Sequence, residues 1–351
     1  QELAISLDHF SSSGGVDGVV LDDDFVNSQL GLDLKTQTRY YDWNAYLKGG
    51  YQAVNWYGIN NTALSSIPFD EFNNINPAQS YFNINTGGSI NPDDFFVDKA
   101  QIDYHLFSDD FSNTEHYINL QPEMDIYFLN QLLETDLQLD YVNGSFSEIN
   151  PGQTDNEYSF LNLRLYPHLL YEQGNLSADL GAQVVYNSNI EQSNSDVFVY
   201  PKVNINYKLN ESDLVVFAGA KGNLEQNRYQ RFVDVNPFVR PYLQIAPTNN
   251  QLNAYAGLKG KLVDNLSFRV NGSYESAENY AFFTSTAFIP QVNTRDQGFE
   301  YGNSFNVIYD DLETLSLKTS FQYDLSTDFQ LGLRAAFSSY STDNLPEALN
   351  L

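Results

Sequence analysis

The feature that most constrains this chain is a strict two-residue alternation of apolar and polar side chains, held over long stretches. Ile118, Leu120, Pro122, Met124, Ile126 and Phe128 interleave with Asn119, Gln121, Glu123, Asp125 and Tyr127. Leu133, Thr135, Leu137, Leu139 and Tyr141 then alternate with Glu134, Asp136, Gln138 and Asp140. The pattern returns at Leu161/Leu163/Leu165, Leu176/Ala178/Leu180, Val199/Pro201/Val203, Leu252/Ala254/Ala256, Leu266/Phe268/Val270, Leu315/Leu317/Thr319 and Phe329/Leu331/Leu333. Side chains of an extended strand point to opposite faces in turn, so each segment predicts a strand with one apolar and one polar face. No helical period fits them. The chain reads as all-β.

Composition narrows the class. With 17 Lys+Arg against 45 Asp+Glu the formal charge is −28, and there is no cysteine. Disulfides and cysteine-based metal or redox sites are therefore excluded. A chain this acidic repels phosphate backbones and shows no basic stripe, which argues against nucleic acid as a partner. No apolar stretch approaches the roughly 20 residues of a membrane-spanning helix. Hydrophobic residues make up 42% and aromatics 15%, ample for ordered burial. No linker composition or fixed-period repeat divides the chain, so residues 1–351 read as one domain.

The connections carry a second signal. Short polar turns are expected near Asn130, at Gln173-Gly174-Asn175, Asn210-Glu211-Ser212, Asp264-Asn265 and Asp310-Asp311. Long polar loops are expected at 144–157, 188–196, 227–250 and 278–296. Short turns alternating with long loops are the layout of a transmembrane antiparallel β-barrel of the outer-membrane type. The alternation breaks at Ser326-Thr327, where a short link falls where a long loop is due. Aromatics sit at strand ends (Tyr40, Tyr41, Trp43, Trp56, Tyr57, Tyr166, Tyr171, Tyr200, Tyr207, Phe282, Phe283, Tyr323, Phe329), as interfacial girdles require. About fourteen strands are countable, on a scale running from 8 to 26 and beyond. Leu3, Ile5 and Leu7 alternate from the start, and Leu345-Pro346 to Asn350-Leu351 lacks an aromatic final residue. Both ends read as incomplete, because a barrel must close.

Several segments resemble a family. They are Ser11-Ser12-Ser13-Gly14-Gly15-Val16-Asp17-Gly18-Val19-Val20-Leu21-Asp22-Asp23, Asn55-Trp56-Tyr57-Gly58, Val235-Asn236-Pro237-Phe238-Val239 with Ile245-Ala246-Pro247-Thr248-Asn249, Ala254-Tyr255-Ala256-Gly257-Leu258-Lys259-Gly260, and Glu300-Tyr301-Gly302-Asn303-Ser304-Phe305. Together they resemble the Bacteroidetes, especially flavobacterial, outer-membrane barrels labelled TonB-dependent-receptor-like. The resemblance implies a bacterial outer-membrane location, the lipid bilayer and lipopolysaccharide as surroundings, and transport as the activity. A TonB-dependent transporter also carries an N-terminal plug and a TonB box, and no segment of this chain reads as either.

No catalytic motif is visible: there is no Gly-x-Ser-x-Gly elbow, His-Glu-x-x-His or phosphate loop, so the chain does not read as an enzyme and implies no cofactor. Of four histidines, His105 and His168 occupy polar-face positions suited to lumen packing, His9 stands alone, and His116 falls in an outer-loop stretch with Asp109, Asp110 and Glu115. No second histidine stands at a ligand spacing from His116. Asp22-Asp23-Asp24 and Asp93-Asp94 offer oxygens that suit calcium, without the spacing of a dedicated calcium loop.

The polar faces are more informative. An acidic wall is expected from Asp103, Glu123, Asp125, Glu134, Asp136 and Asp140. A basic wall is expected from Lys202, Lys208, Lys221, Lys259, Lys261, Arg269, Lys318 and Arg334. Such walls either orient a polar solute in an open lumen or pair with each other or a plugging segment. Two functions stay open: a transport conduit for a small solute, and an accessory subunit in a complex with other outer-membrane barrels or lipoproteins. A soluble, glycan-binding β-protein is the weaker third reading.

Overall fold

A computed structural model describes residues 1–59, 64–65, 74–93, 97–128, 131–147, 156–209, 213–288, 298–326 and 329–345. Among the described residues fifteen strands follow one another: β1 (Glu2–Ser12), β2 (Phe25–Gln37), β3 (Tyr41–Asn55), β4 (Ala78–Pro92), β5 (Lys99–Asp109), β6 (Thr114–Phe128), β7 (Gln131–Ser145) and β8 (Glu157–Gln173) make the first half. The second half is β9 (Leu176–Asn189), β10 (Asn194–Lys208), β11 (Val215–Glu225), β12 (Thr248–Val263), β13 (Leu266–Ser285), β14 (Phe305–Ser326) and β15 (Phe329–Thr342). A short helix, α1 (Tyr229–Val235), stands between β11 and β12. All fifteen strands lie in one sheet, in sequence order, each antiparallel to its neighbours. Outer-membrane barrels use this meander because every connection joins adjacent strands.

Connections alternate strictly between the two ends. The link after Ser326 falls at the end that also carries Gly174-Asn175 and Asp264-Asn265, in phase with the rest. The expected break came from reading Asp310-Asp311 as a turn. These residues lie inside β14, where Asp310 pairs with Tyr280 and accepts hydrogen bonds from the Asn344 and Leu345 amides at 2.9 Å. Other expected loops shrink too, since β13 continues to Ser285 and only residues 190–193 separate β9 from β10. The expected turns near Asn130 and at Asn210-Glu211-Ser212, and the terminus from Pro346 onward, lie outside the described residues.

The two faces follow the sequence alternation with inside-out polarity. In β8, Asn162 and Arg164 are buried while Leu163 and Leu165 are 43% and 40% exposed. In β10, Tyr200 is buried and Val199 is 67% exposed; in β14, Ser316 is buried and Leu315 is 60% exposed. A water-soluble sheet reverses this order, since exposed apolar area on such a scale is costly in water. A lipid-facing barrel wall requires it. No second sheet covers the apolar face among the described residues, so the architecture is a transmembrane barrel wall and not a sandwich. Tyr41, Tyr171, Tyr207, Tyr323 and Phe329 project from this exposed face near the short turns, where an interfacial girdle belongs. Trp56, Tyr166 and Tyr200 do not join it. Trp56 packs into the interior core, Tyr166 stacks on His168, and Tyr200 hydrogen-bonds Asn249.

The main apolar core lies inside the sheet's curve, at the loop end. It gathers Val54 of β3, Tyr81 of β4, Phe107 of β5, Val142 of β7, Phe160 of β8 and Val307 of β14. Strands so distant in the sheet order meet one cluster only because the sheet curls around it. Register shifts in the β11–β12, β12–β13 and β13–β14 pairings contribute to that curl. At the last of these Asn279 takes φ 52°, a left-handed conformation that asparagine tolerates. β1 and β15 are each hydrogen-bonded to a strand on one side only.

Candidate functional site: a strapped mouth above a charged lumen

The connection between β11 and β12 folds inward. Phe232, Val233, Val239, Tyr242, Leu243 and Ile245 of this segment are all buried in the interior core. The long polar loop expected at 227–250 is instead an apolar strap across the barrel mouth. Its apolar side chains have no lipid or water-free surface to reach except the inside of the curved sheet.

Polar groups of the wall fix the strap in place. Helix α1 begins at Arg228, whose side chain makes no capping hydrogen bond. Glu115 of β6, 1% exposed, supplies the cap from across the interior: its carboxylate accepts the Tyr229 amide at 2.6 Å, the Gln230 amide at 3.3 Å and the Tyr158 hydroxyl at 2.6 Å. Helix N-termini leave amides unpaired, and a carboxylate there also meets the positive end of the helix dipole. The Arg228 guanidinium lies 3.7 Å from Glu115 and 3.9 Å from the centre of the Tyr117 ring. Asp109 accepts the Tyr229 hydroxyl at 2.7 Å. Tyr81 donates to the Pro237 carbonyl at 2.8 Å, Trp56 to Phe238 at 3.1 Å, Asn113 to Pro241 at 2.6 Å and Tyr309 to Gln244 at 3.0 Å. Asn303 donates to the Trp56 carbonyl, and Val239 bridges Phe305. Three of the motif segments, around Trp56, Pro237 and Asn303, therefore meet at one place. Within the strap, burial pushes the Asp234 carboxyl up, with Arg228 pulling the other way.

Sequence reasoning did not single out Glu115 as the anchor. The signal that could have found the strap is its density of Phe, Val, Tyr, Leu and Ile in a connection where an outer loop is normally polar.

Below the strap, toward the turns, the two walls differ. Most of the acidic wall is locally partnered. Asp140 pairs with Arg164 and accepts the Tyr117 hydroxyl at 2.8 Å; Asp103 accepts Tyr46 at 2.6 Å and Gln101 at 2.8 Å; Glu123 pairs with Lys99 at 3.0 Å. His168 stands 2.8 Å from Asp179 and 3.5 Å from Glu134. Asp136 faces Glu123 across the β6–β7 pairing. Asp125 occupies the register position opposite Glu134, and its side chain lies outside the described residues.

The basic wall has no ion pair among the described residues. The strand register places Lys202 directly opposite Lys221, and Lys259 directly opposite Arg269. One row of positions runs Lys208, Val215, Lys259, Arg269, Ser320, Arg334 across six strands. Lys318 belongs to the adjacent row, opposite Asn271, and Lys261 to the row on the turn side, opposite Ser267. The ring contacts in this region are Lys202 on Tyr166 at 4.5 Å, Arg269 on Phe217 at 4.6 Å and Lys259 on Phe217 at 5.7 Å. No ion pair within 4 Å joins the two sets among the described residues, and Lys202 lies within electrostatic reach of Asp136 and Asp179.

The remaining singled-out residues take other places. His105 packs on Tyr117 at 5.5 Å and His9 hydrogen-bonds Ser28 at 2.8 Å. His116 is not in a loop: it lies within β6 and shares a 2.8 Å hydrogen bond with Tyr104. Asp23 accepts the Gly15 amide at 3.0 Å and the Val16 amide at 2.6 Å, which hold its carboxyl below the ordinary value. Asp94 lies outside the described residues. Among the described residues no three metal-ligating side chains converge.

No protein-family profile matches the chain, and no curated protein matches it. Solved structures do. A variant of the iron transporter FrpB from Neisseria meningitidis is similar at TM-score 0.63 and 9% identity, over 96% of this chain and 57% of that one. A mutant of the ferric enterobactin receptor PfeA from Pseudomonas aeruginosa gives 0.60 and 10%, over 93% and 53%. BauA, the ferric preacinetobactin receptor from Acinetobacter baumannii, gives 0.55 and 12%, over 97% and 57%. The chain has a TonB-dependent-receptor-like barrel fold. It spans about half the length of the solved chains it matches. These neighbours are transporters and receptors, and the likeness to them is one of fold.

Proposed function

We propose that this chain forms the barrel wall of a bacterial outer-membrane conduit that admits a small solute, with the loop end outside the cell and the inward strap restricting entry. The observation that carries the reading is the inside-out polarity of a single curved sheet, with an apolar outer face for lipid and a charged interior. The motif resemblance to flavobacterial barrels and the iron and ferric-siderophore cargoes of the neighbours support a transport role. The lipid bilayer and lipopolysaccharide are then the surroundings of the outer face. The two charged walls are the surfaces a passing solute meets.

The test is flux through proteoliposomes carrying the full chain, measured with small solutes of graded size. The unmodified protein is expected to pass little, and Glu115→Ala, which frees the strap, to pass more. A strap-released protein that stays folded in the bilayer and still passes nothing would overturn the conduit. Stoichiometric co-purification of other barrels or lipoproteins without flux would turn the reading to an accessory subunit.

A further inference from the structure

The lumen holds a charge arrangement that the conduit reading does not explain by itself. The chain has 17 cationic residues against 45 acidic ones, yet eight of the 17 lie on the polar face of β10–β15. Two acids of the opposite wall are neutralised by their own neighbours, Glu123 by Lys99 and Asp140 by Arg164, and Glu134 stands 3.5 Å from His168. Among the described residues no cation of the basic wall forms an ion pair; Lys202 has Asp136 and Asp179 within electrostatic reach, and Lys259, Arg269 and Lys318 stand farther along the sheet.

The register sharpens the point. Lys202 faces Lys221 and Lys259 faces Arg269 as direct cross-strand partners. Like charges placed so, with Cβ atoms roughly 5 Å apart, repel unless an anion lies between them. Arg334 continues the row of Lys259 and Arg269 through Ser320, and Lys318 stands one row above. A cavity of about 380 Å³ lies against this face, lined by Lys221, Lys259, Arg269, Lys318, Asn271 and Tyr255 among others. Glu275 is the one carboxylate on its lining. The Asn271 Oδ1 is buried there without a hydrogen-bond partner, an acceptor left for a hydroxyl or N–H donor.

We infer that the basic wall is a binding site for a small polyanion, a solute bearing several phosphate or carboxylate groups, held chiefly by Lys259, Arg269 and Lys318. The inference rests on the conduit reading and names the solute class. Guanidinium and ammonium groups around one cavity match such a ligand by charge and by multiple charge-assisted hydrogen bonds. The volume suits a compact molecule and not a folded domain. Membrane headgroups are excluded as the source, because these side chains stand on the interior face.

The test is calorimetric titration of the full chain in detergent micelles with inorganic pyrophosphate and with citrate, at low and at high ionic strength. Saturable binding that weakens with salt is expected for at least one probe. The double variant Lys259→Gln with Arg269→Gln should weaken it about tenfold or more. Lys48→Gln, a substitution of a cation on β3 far along the sheet, should leave it unchanged. The double variant relieves repulsion and should fold, which a melting curve verifies. Unchanged affinity in a folded double variant would overturn the site, as would binding of neither probe. An acidic peptide that binds where pyrophosphate and citrate do not would overturn it in favour of a polypeptide occupant. Binding by a folded Glu115→Ala protein that still passes no solute would leave the site standing and sink the conduit. Flux of neutral solutes without polyanion binding would do the reverse.

Discussion

The mouth and the lower lumen of this barrel are built by opposite rules. At the mouth, Glu115 is almost wholly buried, yet one of its oxygens accepts from the strap and the other from both strap and wall, and elsewhere in the same core Trp56 and Tyr242 pack edge to face on Phe299. In the lower lumen, Lys221, Arg269 and Lys318 are solvent-exposed and without ionic partners among the described residues. One region has used its polar groups to fix a segment of its own chain. The other has left them free for something else. A buried charge survives only when it is fully partnered, whereas charges in a wet lumen survive unpartnered at little cost.

The largest expected effect breaks the mouth. Glu115→Ala removes the acceptor of two strap amides and the Tyr158 hydroxyl, and leaves Arg228 uncompensated. It should cost about 3–5 kcal/mol in denaturant unfolding of the micelle-bound protein. Glu115→Gln keeps part of the hydrogen bonding and should cost less. Phe299→Ala, which takes a fully buried ring away from Trp56, Phe111 and Tyr242, belongs in the same range of about 3–5 kcal/mol.

Next in size is a change on the lipid face. Val199→Arg puts a cation where the outer surface meets hydrocarbon and should cost about 2–4 kcal/mol when folding is measured into bilayers. A soluble β-sheet protein would tolerate that substitution at an exposed position, so the measurement also separates the two fold readings.

The contrast is sharpest in a change of sign. Lys259→Gln with Arg269→Gln should leave the barrel equally stable or stabilise it, by up to about 1 kcal/mol, because the pair repels across β12 and β13. Equal destabilisation by this double variant and by Glu115→Ala would erase the distinction between the two regions.

The smallest effect is in pH. Asp23 is held below its ordinary value by the Val16 and Gly15 amides, so its contribution to loop 13–24 is present above that ordinary value and lost as pH falls through the depressed one. Asp234 is raised by burial, so the sign reverses and the strap tightens as pH falls through the raised value. Hydrogen exchange, corrected for intrinsic rates, should show the loop amides losing protection in acid while those of α1 gain it.

Much of the fold was legible in the sequence. The alternation at Leu161–Leu165 and Leu315–Leu317 assigned strand and face correctly, because period two is a local property of an extended backbone. Asp310-Asp311 misled because two adjacent carboxylates resemble a turn, while the partners of Asp310, Asn344 and Leu345, come from beyond the next strand and that of Asp311, the Asn279 amide, from the strand before. The mouth was legible only as scattered motif segments. Nothing local says that Trp56, Phe238 and Asn303 touch, since 182 residues separate Trp56 from Phe238 and 247 separate Trp56 from Asn303.

By itself, then, the sequence determined which residues face lipid and which face inward, and hence that the chain builds a membrane barrel wall. That follows from steric and solvent preferences acting over neighbouring residues. Only the tertiary structure decided which connection folds into the interior and which charges find partners. Those outcomes depend on where the curved sheet brings distant strands, as when Glu115 meets an amide 114 residues away. By contrast, Asp140 takes its arginine from the adjacent strand β8, while Arg269, set between Lys259 and Ser320, has no carboxylate partner among the described residues.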